Sequence, residues 1–227
     1  MIIGDYKLTA LETGRFYLDG GAMFGVVPKT IWNRSNPADD KNRIEMAART
    51  LLIKDSKRCI MVDTGVGGGW DQKFSDIYGV DHSKYSLQKS LTDAGLSNAD
   101  ITDVILTHLH FDHVGGATFK DKDGTIRPSF PNATYYVQEK QYNWALNPSE
   151  KDRASFFNQK YVPLFEEGRL HLLKGESEIF PGVFIKLTDG HTVAHQTVLV
   201  TDGKNSLYHP GDTIPTSSHI PLPFIMG

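Results

Sequence analysis

Cysteine is almost absent from this chain of 227 residues: Cys59 is the single example, so no internal disulfide can form. No apolar run approaches the length that a membrane helix needs. Neither sign of charge dominates, since the formal net charge is −3, and this gives no reason to expect nucleic acid or an anionic membrane as a partner. Residues 1–6 lack a basic stretch followed by apolar residues, so we expect no signal peptide and a cytoplasmic location, or a secreted or periplasmic one if a leader has been removed.

The composition is that of a globular protein, with 39% hydrophobic and 22% charged residues. A chain of this length can bury a full core, so we expect one domain that spans residues 1–227. Short β-branched and apolar runs lie towards both ends, with helical patterns between them, and this order predicts two sheets faced by helices. The helical patterns cover residues 83–96 and 151–167, and Pro163 is expected to kink or break the second.

The most specific pattern is a run of metal-binding side chains within residues 107–113. His108, His110, Asp112 and His113 follow directly on a buried-strand pattern. Imidazole nitrogen and carboxylate oxygen suit zinc and related divalent ions. Residues two apart on an extended segment point to the same side, so His108 and His110 can converge on one ion while Asp112 and His113 serve a second. A solvated polar loop is the simpler alternative, and this combination of residue types disfavours it.

Three further polar residues, Asp63, His191 and Asp212, stand on glycine-bearing loops where predicted strands end. Ligand sites in layered α/β folds gather at such strand ends, so we expect His191 and Asp212 to join the metal run. Asp63 either orients a ligand imidazole through its other N–H or caps a turn. The remaining histidines are interpreted as structural: His82, His171, His195 and His209. Of these, His195 lies closest in sequence to the predicted ligand His191.

In order and spacing these residues resemble the metallo-β-lactamase-fold hydrolases over most of the chain. The resemblance rests on the H-x-H-x-D-H run at residues 108–113, on Gly190-His191 and on Gly211-Asp212. It implies an α+β four-layer αββα sandwich that holds two divalent metal ions, expected to be zinc.

The resemblance also assigns roles to the candidate ligands. It gives one ion to His108, His110 and His191, the other to Asp112 and His113, and both to a bridging Asp212. Two neighbouring ions would bridge a water and lower its pKa from about 15.7 towards 7, giving a hydroxide that attacks a carbonyl or phosphoryl centre. Asp112 is placed to move a proton to the leaving group, so Asp112 and Asp212 are the expected catalytic residues.

A finer resemblance is to quorum-quenching N-acyl homoserine lactonases. It rests on residues 18–29, Trp32, residues 40–42 and the Thr-His-Leu-His-Phe-Asp-His form of the metal run. It implies a small-molecule ester or lactone substrate, with N-acyl homoserine lactone as the leading interpretation. Thioesters, organophosphates and β-lactams are the alternative substrates for the same fold. An incomplete metal-binding domain without turnover is the alternative of another class.

The chain departs from that family in two places. Family members carry one more metal histidine several dozen residues after the bridging aspartate, whereas only fifteen residues follow Asp212 here. We therefore expect residues 1–227 to lack a C-terminal strand and helix; the alternative is that His219 replaces the last ligand. Pro215 stands where some lactonases have a tyrosine that hydrogen-bonds the lactone, a difference that bears on substrate specificity.

A long connection at residues 20–45 carries several apolar side chains, among them Met23, Phe24 and Trp32. A connection of this length in a compact domain is often functional. Its side chains either pack onto the sheet, line a site for an acyl chain, or cover the partner subunit of a homodimer.

Overall fold

Thirteen strands and seven α-helices make up the regular structure of residues 1–224, the part of the chain that the computed structural model describes. The strands are β1 (Ile2–Ile3), β2 (Tyr6–Asp19), β3 (Arg43–Lys54), β4 (Cys59–Val62), β5 (Asp103–Ile105), β6 (Thr118–Lys120), β7 (Ile126–Pro128), β8 (Thr134–Gln138), β9 (Leu170–Leu173), β10 (Ser177–Phe180), β11 (Val183–Thr188), β12 (His195–Thr201) and β13 (Ser206–His209). The α-helices are α1 (Gly20–Phe24), α2 (Lys29–Trp32), α3 (Gln72–Tyr78), α4 (Leu87–Asp93), α5 (Phe111–Val114), α6 (Glu139–Leu146) and α7 (Val162–Glu166). None of the helices in this part of the chain has the length and apolar character that crossing a bilayer requires.

Two sheets face each other across an apolar core. The larger has the order β1-β2-β3-β4-β5-β8-β9 and changes from antiparallel to parallel pairing at β4. The smaller is the antiparallel series β10 to β13, and β6 pairs with β7 separately. Ile60 and Val62 of β4 share one buried cluster with Ile185 and Val198 of the smaller sheet. Helices α4, α6 and α7 pack against the larger sheet, so the predicted α+β sandwich is confirmed.

The two central strands carry the candidate site to one edge of the larger sheet. Every residue of β4 and β5 is buried, as expected for parallel strands covered on both faces. Val62 pairs with Ile105, so both strands end at the same edge, where Asp63 and residues 107–113 leave the sheet. The Gln196 N–H donates to Thr107 O at 2.9 Å, which joins the smaller sheet to that edge.

The predicted helix over residues 151–167 is wrong over most of its length. That segment contains two short 3₁₀ turns, Arg153–Ser155 and Asn158–Lys160, and only the five-residue α7. Pro163 lies in the first turn of α7, where its missing N–H removes no helical hydrogen bond. The proline therefore begins a helix instead of kinking one. The helix predicted over residues 83–96 is present but shorter, because the Ser86 hydroxyl accepts from Lys89 N at 3.2 Å and caps α4.

The long connection at residues 20–45 mostly packs onto the protein. Met23, Phe24 and Trp32 are each at most 4% exposed, and the Phe24 and Trp32 rings stack at 5.3 Å between centroids. Val26, at 97% exposed, points to solvent. Of the three sequence interpretations, packing onto the sheet describes the buried part of this segment.

Candidate metal centre

Asp63, which follows β4, organises the start of the metal run through both carboxylate oxygens. Its Oδ1 accepts the Thr107 N–H at 2.8 Å, and its Oδ2 accepts from Thr107 Oγ1 at 2.8 Å and from His113 Nδ1 at 2.9 Å. Because a carboxylate only accepts, His113 carries a hydrogen on Nδ1, so Nε2 is the ring nitrogen that faces the other candidate ligands. Asp63 thus orients the His113 imidazole, one of its two sequence interpretations. It does so from a φ of 61°, which is uncommon outside glycine.

His108 presents a free ring nitrogen by the same reasoning. The Thr107 hydroxyl gives its single hydrogen to Asp63, so it accepts from His108 Nδ1 at 3.0 Å. His108 Nε2 is then unprotonated, and it is buried without a hydrogen-bond partner among residues 1–224. A buried polar atom is costly unless something binds it, and a divalent ion suits a neutral imidazole.

Two groups of donor atoms meet around the carboxylate of Asp212. Its Oδ2 lies 3.3 Å from His191 Nε2, and that nitrogen lies 3.0 Å from His110 Nδ1. Its Oδ1 lies 3.1 Å from His113 Nε2, and Asp112 Oδ2 is 3.5 Å from the same nitrogen. Ligands bonded to zinc at about 2.0–2.1 Å and tetrahedral angles stand about 3.3–3.4 Å apart. The observed spacing fits two divalent ions with one carboxylate between them.

Five of the six candidate ligands named from the sequence meet in two overlapping groups. Ligand atoms lie within 4.8 Å of one another in the sets His108, His110 and His191, and His108, His113 and Asp212. The first set is the one that the resemblance assigns to a single ion. The second has His108 where the resemblance places Asp112, and Asp112 joins through its 3.5 Å contact with His113. Imidazoles and carboxylates are a donor set that fits divalent metal ions.

Burial keeps three of these histidines in the form that binds metal. Desolvation lowers the pKa of His108, His110 and His191, and neighbouring histidines add to the effect at His108. A metal-binding imidazole must be neutral, so no proton has to be displaced at these three residues.

The pKa values of Asp112 and Asp212 shift in opposite directions. Burial raises the pKa of Asp112 to about 6. Burial also opposes the charge of Asp212, but the positive His113 more than offsets it and holds the pKa of Asp212 well below its usual range. The site therefore favours the charged form more strongly at Asp212, the residue expected to bridge two cations, than at Asp112.

His195 supports the Asp212 loop without belonging to either donor group. Its Nε2 accepts the Asp212 N–H at 3.1 Å, so Nδ1 carries the hydrogen and donates to Thr188 Oγ1 at 2.7 Å. Burial lowers the pKa of His195 to about 4, which keeps the ring neutral. A Cβ at Gly211, whose φ is 52°, would lie 2.5 Å from His195 Nε2, so glycine permits this approach. This placement agrees with the structural role expected of His195.

Two buried glutamines that the sequence analysis did not single out tie the loops together. Gln141 in α6 accepts the Leu109 N–H at 3.3 Å and donates to Val193 O, so it links the metal run to the loop of His191. Gln196 donates to Leu106 O at 2.7 Å. Gln141 lies one turn before buried Ala145, so α6 carries a polar residue on its apolar face, and this is the sequence signal that marks it.

His219 lies apart from the donor groups. Its ring stacks on Phe24 at 4.5 Å, Nε2 donates to Met23 O at 2.9 Å, and Nδ1 lies 2.7 Å from Thr216 Oγ1. Both ring nitrogens have protein partners, so the structure does not bring His219 to the metal centre. His171 also lies away from the donor groups, since it is exposed and packs beside Tyr136.

A cleft of about 330 Å³ opens beside the donor groups. Asp63, Asp112, His113 and Asp212 line its polar end. Its apolar lining consists mainly of Phe16, Met46, Leu207, Ile214 and Pro215. The cleft thus joins the donor groups to a surface suited to an apolar group of a small molecule.

Solved structures with a similar fold include two informative examples. A probable metal-dependent hydrolase from Staphylococcus aureus has a TM-score of 0.87 and 30% identity, covering 96% of this chain and 77% of that one. A dizinc quorum-quenching lactonase in complex with a product has a TM-score of 0.71 and 24% identity, covering 92% and 71% of the two chains. At this identity the second likeness concerns the fold alone.

Similar proteins are also found by sequence. An N-acyl homoserine lactonase from Bacillus cereus is 27% identical over 117 residues, which are 52% of this chain and 40% of that protein. The chain thus spans about two fifths of the length of this lactonase. The family described as the metallo-beta-lactamase superfamily matches residues 45–227. With four fifths of its length matched and the fold in agreement, this chain belongs to the metallo-beta-lactamase superfamily.

Proposed function

We propose that this protein is a hydrolase that binds two zinc ions and opens an ester or lactone, with N-acyl homoserine lactone as the leading substrate. The meeting of six candidate ligands in two adjoining groups carries the proposal: His108, His110, His191, His113, Asp112 and Asp212. The likeness to a Bacillus cereus lactonase supports the choice of substrate class.

The residues divide the work between holding metal and handling protons. His108, His110 and His191 would hold one ion, His113 and Asp112 the other, and the two oxygens of Asp212 both. Bound divalent ions would supply Lewis-acid activation of water and of the substrate oxygen. Asp63 keeps His113 Nε2 facing the site by accepting from its Nδ1.

Asp112 is the proton carrier in this proposal. Its carboxylate lies at the edge of the donor groups and lines the cleft. From there the Asp112 carboxylate takes the proton that water releases and passes it to the leaving oxygen, while water adds across the ester C–O bond to give an acid and an alcohol. No serine or cysteine nucleophile is needed.

The cleft gives the substrate a place to lie. Its polar end holds Asp112 and Asp212, and its other walls include Phe16 and Met46. An ester carbonyl at the polar end would leave an acyl chain against the apolar walls. Pro215 lines this space without a hydroxyl, so discrimination between lactones and open esters has to come from the other walls.

The test combines metal analysis with a substrate panel. Purified protein should contain two zinc ions per chain and should hydrolyse lactones faster than thioesters, phosphotriesters and β-lactams. Asp212→Ala should lose turnover and metal, chiefly at the second ion. Asp202→Ala, at an exposed turn, is the control and should retain both.

Two results would change the proposal. An Asp212→Ala variant with two metals and normal turnover would make this residue a loop element only. Zinc without hydrolysis of any panel member would favour the alternative of a metal-binding domain without turnover.

A further inference from the structure

A glycine-rich loop, residues 65–70, lies directly behind the metal run. Each of four successive carbonyls in it accepts a hydrogen bond from a different donor. Gly65 O takes the Gly116 N–H at 3.1 Å, and Val66 O takes Trp70 Nε1 at 2.9 Å. Gly67 O and Gly68 O accept hydrogen bonds from side chains of distant segments. A loop with four glycines has high conformational freedom, so these bonds define its shape.

Gly68 O is held by a buried lysine. Lys160 is 5% exposed, and its Nζ donates to Gly68 O at 2.8 Å while lying 4.5 Å from the centre of the Trp70 ring. Burial lowers the pKa of Lys160 to about 8, and no neighbouring charge contributes to this shift. A buried cation costs stability when no carboxylate pairs with it, so Lys160 is a candidate for a functional role in this loop.

Gly67 O is held by a histidine. His82 Nε2 donates to Gly67 O at 2.9 Å, and Nδ1 lies 3.2 Å from Thr13 O. The His82 ring lies between these two carbonyl oxygens, one on the loop and one on β2. His82 therefore links the loop to β2.

The loop transmits its position to the metal run through close backbone contacts. A Cβ on Gly67 would lie 2.1 Å from Gly115 O, so the two backbones touch. Just before the loop, Thr64 donates to His113 O through its N–H at 2.7 Å and through Oγ1 at 2.9 Å. A shift of the loop would therefore move the backbone of His113, one of the candidate ligands.

We infer that Lys160 and His82 are positioning residues that hold the glycine-rich loop against residues 111–116 and thereby set the geometry of the metal centre. The inference rests on the proposed function in so far as that centre holds metal. Neither residue touches the donor atoms, so each acts through the loop.

Hydrogen exchange of the metal-free protein tests whether Lys160 and His82 hold the glycine-rich loop in place, without relying on metal. Lys160→Met should speed amide exchange about tenfold in residues 64–70 and 111–117, because a charged donor is lost from the loop. Lys160→Arg should return part of the protection. Lys174→Met, at a side chain that is 75% exposed, is the control and should match wild type.

Unchanged exchange in Lys160→Met would overturn the inference, as would an equal rise across the whole chain, which would mark a general loss of stability. A Lys160→Arg variant as unprotected as Lys160→Met would also overturn it. His82→Gln is the second variant, and it should affect the same residues and leave the β10–β13 sheet unchanged.

Cobalt titration then tests whether the position of the glycine-rich loop affects metal binding at the centre. Lys160→Met should bind cobalt about tenfold more weakly and should alter the visible spectrum of the bound ion, while Lys174→Met should not. Wild-type affinity and spectrum in Lys160→Met would show that the loop does not set the geometry of the centre. If wild type itself binds no cobalt, the proposed function fails, and the exchange result still decides whether Lys160 holds the loop.

Discussion

At the scale of single residues, Asp63 illustrates how the centre depends on a side chain that is not itself a candidate ligand. It accepts three hydrogen bonds, and the one from His113 sets which ring nitrogen faces the donor groups. Asp63→Asn removes the charge and one acceptor, so the His113 ring is no longer held in one tautomer. We expect metal affinity to fall about tenfold to a hundredfold in a competitive zinc titration.

The matched control lies at the other end of the neighbouring strand. Asp103 is also buried and accepts from Arg58 at 3.0 Å, so Asp103→Asn makes the same chemical change away from the donor groups. It should lower the melting temperature while leaving zinc affinity unchanged. Equal losses of affinity in the two variants would assign the effect of Asp63 to general stability.

At the scale of structural elements, the loops around the centre depend on glycine at particular positions. Gly67 has a φ of 63° and touches the Gly115 backbone, whereas a Cβ at Gly68 would meet nothing within 4 Å. Gly67→Ala should therefore destabilise the protein by several kcal/mol, through both strain and overlap, and Gly68→Ala should change stability by less than about 0.5 kcal/mol. Urea unfolding of the two variants gives the comparison. Similar stabilities would mean that the loop moves away from Gly115 at little cost.

At the scale of the whole molecule, the buried charge of Lys160 should appear in the pH dependence of stability. Its pKa is about 8 in the folded chain, against about 10.4 for an ordinary lysine. Between these values the unfolded state binds more protons, so the free energy of unfolding should rise with pH, by up to about 1.4 kcal/mol per unit. Urea unfolding at pH 7.5, 8.5 and 9.5 measures the rise. Lys160→Met should lack this contribution, and parallel pH profiles for both proteins would contradict it.

The two halves of the centre should also differ in affinity. One half offers three imidazoles, His108, His110 and His191, whereas the other offers His113, Asp112 and a share of Asp212. Fewer neutral nitrogen donors leave positions for water, so that ion should bind more weakly. Zinc titration of the metal-free chain should give one tight and one weaker site. Two equally tight sites would mean that a further residue completes the ligand set of the ion held by His113 and Asp112.

Features that depend on local pattern could be predicted from the amino-acid sequence. Buried strands such as β4 are read from continuous apolar runs, because both faces of a parallel strand are covered. The run at residues 107–113 identifies candidate ligands because few other roles use those side chains at that spacing. A helix over residues 151–167 was wrongly predicted, because its aromatic residues pack on separate parts of the core instead of along one helical face.

Contacts between residues far apart in the chain could not be predicted in this way and are seen in the fold. Gln141, Lys160 and His82 act on loops 32, 92 and 15 residues away, so no local pattern marks them. Hydrogen bonds between side chains and loop backbones depend on how sheets and helices pack, not on neighbouring letters in the sequence. The orientation of the His113 ring is likewise set by Asp63, fifty residues earlier in the chain. The types of ligand are thus predicted by the local sequence pattern, whereas their orientation depends on how the folded chain packs.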